Sequence, residues 1–177
     1  MNKVGVVIVT YNRLALLKEV IESIRKQTFQ DFQIVVVNNG STDRTKDWLE
    51  SQSDIVTITQ KNLGGAGGFH TGLKYVSENG MKFCWLMDDD VVCKPNALQE
   101  LINSCNVRED IGFVCSRVIG TEGKPMNVPE ARIESSIDSY ADTFGLVNDY
   151  AMVEVVRATF VSVFLSTDII TEFRGRG

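Results

Sequence analysis

The 177-residue sequence predicts an α/β domain in three layers, with a mostly parallel central sheet flanked by helices. Three observations carry that expectation. Four apolar runs of strand length fall before residue 90, each is followed by apolar residues at helical spacing, and polar turns separate strand from helix. Such βα units in series build a parallel sheet through right-handed crossovers, with helices on both faces. With 44% hydrophobic residues the chain can wrap one substantial core, so a single domain over 1–177 is expected.

The elements follow in order. Val4–Val9 is a β-branched strand, and Leu17, Val20, Ile21 and Ile24 then mark one face of a helix. Ile34–Val37 is a second, continuously apolar strand. After it Asn39-Gly40-Ser41-Thr42 reads as a turn with helix-capping hydroxyls, and Thr45, Trp48 and Leu49 share a helical face. Residues Ile55–Thr59 alternate like a strand. A glycine-rich loop follows, then a stripe of Phe69, Leu73 and Val76 that Asn79-Gly80 stops. Phe83–Met87 is a fourth buried strand, and Pro95, suited to the first turn of a helix, precedes Leu98, Leu101 and Ile102. Beyond Gly112 the pattern loosens. Gly112–Ile119 is strand-like, Gly120–Pro129 reads as a surface excursion, Ala158–Leu165 recovers a strand, and Thr167-Asp168 suits the cap of a last short helix.

Composition narrows the function classes. A formal charge of -5, with no basic block beyond Arg174-Gly-Arg176, lacks the footprint of a nucleic-acid binder. Four scattered cysteines contain no C-x-x-C pair and suggest neither a zinc site nor a disulfide framework, which fits a reducing cytoplasm. The first ten residues are too short a stretch for a signal peptide. Ala158–Leu165 falls far below the roughly 20 residues that cross a bilayer, so no transmembrane segment is expected. A peripheral contact with the inner face of a membrane stays compatible with these residues, as does a homo-oligomer.

In a parallel sheet of this kind ligands sit at the carboxyl ends of the strands, so chemistry is expected after Val9, Val37, Thr59 and Met87. Asp88, Asp89 and Asp90 follow the fourth strand directly, and three adjacent like charges repel unless a cation or donors offset them. In extended geometry Asp88 and Asp90 point one way and Asp89 the other, so a D-x-D pair would offer two oxygens to Mn²⁺ or Mg²⁺. These ions need few protein ligands when a diphosphate and water complete the shell. The bland alternative is a solvated strand-end turn.

Asn38 and Asn39 offer amides at the end of the second strand, although taken alone they are better explained by an Asx turn. Thr10, Tyr11, Asn12 and Arg13 carry the same ambiguity. Asn62-Leu63-Gly64-Gly65-Ala66-Gly67-Gly68-Phe69 would bring bare backbone N–H groups to a phosphate or sugar. It is no dinucleotide fingerprint, because the glycines follow the third strand rather than the first. His70, the only histidine, reads as a packing or donor residue.

Four segments in this order, Val7–Asn12, Val35–Asp43, Asn62–Phe69 and Trp85–Asp90, resemble the family 2 inverting glycosyltransferases of GT-A (Rossmann-like) fold. The GGAGGF segment with a triple aspartate is most similar to the bacterial galactofuranosyl and rhamnosyl transferase branch. The resemblance implies a donor-binding core over 1–120 and an incomplete acceptor-side region over 121–177. It implies metal-dependent sugar transfer with inversion, from a UDP- or dTDP-linked donor to a glycan or lipid-linked acceptor of the cell envelope. By the same resemblance Thr10, Tyr11, Asn12, Arg13 and Asn38 line the base and ribose pocket, Asp88 and Asp89 contact the sugar-nucleotide, and Asp90 holds the metal. Gly40, Asn62, Gly65 and Gly67 belong to the same donor site.

Two departures matter. Many members carry Asp where this chain has Asn38, and an amide both accepts and donates, so the base is left open among uracil, thymine and other bases. An inverting transfer also needs a carboxylate to take the acceptor proton. In relatives that residue lies in a later acidic motif, which this sequence does not contain, so the resemblance implies a C-terminal truncation. Asp149 and Asp168 are the available substitutes. The alternative reading is a nucleotide-sugar-binding domain that lacks its own base and is inactive alone.

Overall fold

The computed structural model describes residues 3–131 and 155–169. Strands β1 (Val4–Thr10), β2 (Phe32–Asn38), β3 (Ile55–Thr59) and β4 (Phe83–Asp88) alternate with helices α1 (Leu14–Arg25), α2 (Thr45–Glu50) and α3 (Gly64–Glu78), and α4 (Ala97–Cys105) follows. Short strands β5 (Phe113–Cys115), β6 (Val118–Ile119), β7 (Pro125–Met126), β8 (Glu130–Ala131), β9 (Val155–Arg157) and β10 (Val163–Ser166) complete the described chain. The main sheet runs β3-β2-β1-β4-β10-β5, and all pairings among β1 to β4 are parallel. β10 inserts antiparallel between β4 and β5. The predicted mixed three-layer architecture is therefore observed.

Alternation along the strands decides what each face buries. Val4, Val6 and Ile8 face the layer of α1, α2 and α4, where Leu17, Ile21, Ile24, Leu49, Leu98 and Ile102 meet Trp85 and Phe164 in one core. Val7, Val35, Cys84 and Leu86 face α3, whose Phe69 and Val76 cover the opposite side. The indole N–H of Trp85 is satisfied by Ser162 Oγ at 2.9 Å, which in turn donates to Ser116 Oγ at 2.8 Å. Among the described residues no helix is long and apolar enough to cross a membrane.

Several local expectations change. The glycine-rich segment is not a loop: Gly65, Gly67 and Gly68 lie inside α3. The reason is close packing. A Cβ on Gly68 would stand 2.4 Å from Val9 Cγ1, and one on Gly72 2.2 Å from Val7 Cγ1, so α3 approaches β1 to a distance that side chains would forbid. Its end behaves as predicted, since Gly80 adopts φ 66° and the N–H groups of Gly80 and Met81 return to Ser77 O and Val76 O. Pro95 precedes α4 rather than opening it, with Asn96 at the cap. Gly112–Ile119 divides into β5 and β6, and the late strand begins only at Val163, with Phe160 and Val161 in a turn before it.

Candidate functional site

The order β3-β2-β1-β4 places a topological switch between β1 and β4: the chain leaves β1 towards β2 and β3, then returns to the other side for β4. A crevice therefore opens at the carboxyl ends of β1 and β4. Thr10 and Asp88 end those strands, and Asn38 ends β2 in register with Thr10. The predicted loops after β1, β2 and β4 thus converge.

Across the switch point, Thr10 donates its hydroxyl to Asp89 Oδ2 at 2.6 Å. Arg13 Nη1 donates to Asp89 Oδ1 and to Asp90 Oδ2, both at 3.2 Å. Asp89 is 3% exposed. These contacts correct the simple alternation expected for the acidic run. β4 ends at Asp88, and Asp89 and Asp90 occupy a turn in which Asp89 faces inward to Thr10 while Asp90 stays exposed. Asp88 is half-buried, and among the described residues no donor rests on its carboxyl. Burial pushes that carboxyl above its ordinary range, the charges of Asp90 and Asp89 push the same way, and Arg13 opposes them. The chain after the run is anchored to α1 and the residues just after it: Cys93 N–H donates to Ser23 Oγ at 3.1 Å, and Gln27 Nε2 donates to Lys94 O at 2.8 Å.

The β1 and β2 loops are stapled by Asn12. This residue adopts φ 55°, its Oδ1 accepts the Thr42 N–H at 2.7 Å and the Asp43 N–H at 3.3 Å, and its own N–H donates to Ser41 Oγ at 3.0 Å. The hydroxyls of Ser41 and Thr42 are thus drawn into loop-to-loop contacts, not helix caps. α2 has no side-chain cap from Arg44, the residue before its first turn; the carboxyl one position earlier, Asp43, accepts the Thr45 N–H at 2.9 Å. Asn38 is wholly buried. Its Oδ1 accepts the Ser41 N–H at 3.0 Å, and its Nδ2 has no partner among the described residues.

Asn39, which the sequence marked only as part of an asparagine pair, holds the next junction. Its amide donates to Asn62 Oδ1 and Gly64 O at 3.1 and 3.0 Å, and its oxygen accepts from Gln60 Nε2 and Leu63 N–H at 2.9 and 3.1 Å. Gly40 must be glycine here: φ is +81°, and a Cβ would lie 3.2 Å from both Asn62 N and Gln60 O. Gln60 carried no sequence signal, because its partners exist only once β2 and β3 are side by side. Asn62 and Gly65 are exposed near the start of α3, and a Cβ on Gly65 would meet nothing within 4 Å. Tyr11 is 45% exposed beside Asn12, and His70 is exposed on α3.

Not every candidate joins this group. β10 runs opposite to β4, so Val163 pairs with Leu86 while Ser166 pairs with Phe83 at the amino end of β4. Thr167 then donates its hydroxyl to Met81 O at 2.7 Å, and the expected late helical turn begins at Thr167 itself, after Ser166. Asp168 follows Ser166 and so lies beyond the amino end of β4, whereas Asp88 marks its carboxyl end, about 17 Å from Phe83 along the strand. Asp149 lies outside the described residues.

The donor set suits a hard divalent cation in one respect: it consists of carboxyl oxygens, one of them on the half-buried Asp88, which has no donor among the described residues. It is not a complete cage. Among the described residues no three His, Cys, Asp or Glu side chains gather around one point. A cation would need oxygens from elsewhere, such as a diphosphate.

Comparison with known proteins agrees with this architecture. An uncharacterized glycosyltransferase of Rickettsia prowazekii (strain Madrid E) is 36% identical over 104 residues, covering 58% of this chain and 32% of its own length. Glycosyltransferase GlyA of Streptococcus pneumoniae serotype 4 is 35% identical over 98 residues, covering 51% of this chain and 14% of its own. The chain spans about a third of the length of the first curated relatives it matches (32%, 35% and 32%). Among solved structures, S. aureus TarS 1–349 in complex with UDP has the same fold with a TM-score of 0.69 at 18% identity, over 97% of this chain and 49% of that one. A mannosyltransferase from Pyrobaculum calidifontis in complex with GDP-Man and Mn²⁺ gives 0.55 at 22% identity, over 66% and 36%. A model of glycosyl transferase family 2 matches residues 5–158, and the chain belongs to that family.

Proposed function

We propose that this chain binds a nucleotide-diphosphate sugar, UDP- or dTDP-linked, at the β1–β4 switch point with Mn²⁺ or Mg²⁺, and passes the sugar with inversion to a glycan or lipid-linked acceptor. The observation that carries this reading is the half-buried Asp88 carboxyl, without a described donor, at the mouth of the crevice that Thr10, Asn38 and Asp90 surround. Asp88 and Asp90 would hold the cation, whose contribution when bound is to offset charge on the departing diphosphate. Thr10, Asn12 and Asn39 would work earlier than chemistry, by fixing the loops after β1, β2, β3 and β4 in one arrangement before a donor arrives, so that less freedom is lost on binding. Tyr11, Asn38 and Gly40 would border the base and ribose, and Asn62, Gly65 and Gly67 the sugar side. Support for a nucleotide ligand also comes from the neighbours that bind UDP and GDP-Man.

Calorimetric titration of UDP with and without Mn²⁺ tests the reading. Binding that needs the metal and disappears in Asp88→Asn supports it, and metal-independent or absent binding overturns it.

A second reading, donor binding without transfer by this chain alone, is favoured by the position of Asp168 beyond the amino end of β4. Turnover with UDP-sugars separates the two, since hydrolysis or transfer requires a base at the site.

A further inference from the structure

Arg13 follows β1 directly and lays its guanidinium across the acidic run, where one nitrogen, Nη1, lies 3.2 Å from Asp89 and 3.2 Å from Asp90. The two ends of this bridge are unequal. The Asp89 side chain is 5% exposed and is also held by Thr10, whereas that of Asp90 is 48% exposed and has no other described donor. Arg13 itself is half exposed, and ion pairs of that kind are weak and readily exchanged. A guanidinium and a divalent cation cannot crowd the same carboxyl oxygens without mutual repulsion.

We propose, resting on the donor-binding reading above, that Arg13 is a resident cation: a divalent ion displaces it from Asp90 while it keeps its hold on Asp89. Once released, the guanidinium has free N–H groups at the crevice mouth. Its planar fork suits the paired oxygens of a diphosphate. Arg13 thereby weakens binding of the bare metal and favours a metal that arrives with a diphosphate. The site discriminates against an empty metal load without needing a third carboxylate.

Mn²⁺ binding without nucleotide, read from loss of the free-ion electron paramagnetic resonance signal, tests this directly, with UDP affinity at saturating Mn²⁺ measured in parallel. In Arg13→Met and Arg13→Gln the bare metal should bind roughly two- to fivefold tighter, the scale of one weak ion pair, while UDP binds more weakly. Arg13→Lys keeps the charge and should leave Mn²⁺ affinity near wild type. If neither neutral variant gains Mn²⁺ affinity while wild type still binds UDP with metal, the Arg13 inference alone fails. If wild type shows no metal-dependent UDP binding, the donor-binding reading fails and takes this inference with it.

Discussion

Thr10 and Asp89, 79 residues apart, share a 2.6 Å hydrogen bond that closes the gap between the carboxyl ends of β1 and β4. Because Asp89 is 3% exposed, its carboxyl depends on protein donors in place of water. Thr10→Val keeps the shape and removes the hydroxyl. It should cost about 1–3 kcal/mol in urea unfolding, the usual penalty for a buried acceptor that loses its donor. An unchanged unfolding midpoint would show that Arg13 alone suffices to hold Asp89.

Asn12 staples the β1 and β2 loops through its side-chain oxygen, which accepts every described bond its side chain makes to Thr42 and Asp43. Asn12→Asp preserves that acceptor and should stay near wild type. Asn12→Gly suits the φ of 55° equally well but removes the staple, and should lose about 1–2 kcal/mol. Thermal melts of the two variants side by side check this. Equal melting temperatures would mean that only the backbone conformation matters.

The glycines of α3 fall into two sets. Gly68→Ala and Gly72→Ala drive a methyl into Val9 and Val7 and should each destabilise by about 1–3 kcal/mol. Gly65→Ala meets open space and gains helix propensity, so it should stabilise by up to about 1 kcal/mol. Chemical denaturation of the three single variants reads the contrast. Its absence would show that α3 does not need its close approach to β1.

Asp54 supplies a pH test away from the site. Its hydrogen bonds to Arg25, at 2.9 Å to Nε and 2.7 Å to Nη2, hold its carboxyl below the ordinary carboxylate range. The stability this adds is present above the unfolded value near 3.8 and is lost as pH falls through the lowered folded value. Asp54→Asn should therefore melt lower than wild type at neutral pH, with the difference shrinking to nothing in acid. A difference that persists unchanged below pH 3 would point to lost packing.

Much of this protein is written in short-range pattern. The β-branched runs and the i, i+3, i+4 apolar stripes of α1 and α4 declare strand and helix locally, because one face of each must be buried whatever its neighbour. Repetition of the βα unit then implies parallel strands, and the acidic run is visible at the end of the fourth. Residues whose role depends on distant partners are a different matter. Only folding decides that Gly68 and Gly72 face valines of β1, that Asn39 and Gln60 meet, that Asp89 turns inward to Thr10, and that antiparallel β10 carries Asp168 away from Asp88. A side chain's neighbours across 20 to 80 residues are set by which strands come to lie side by side, and that order is fixed by long-range packing, not by any one segment's own pattern.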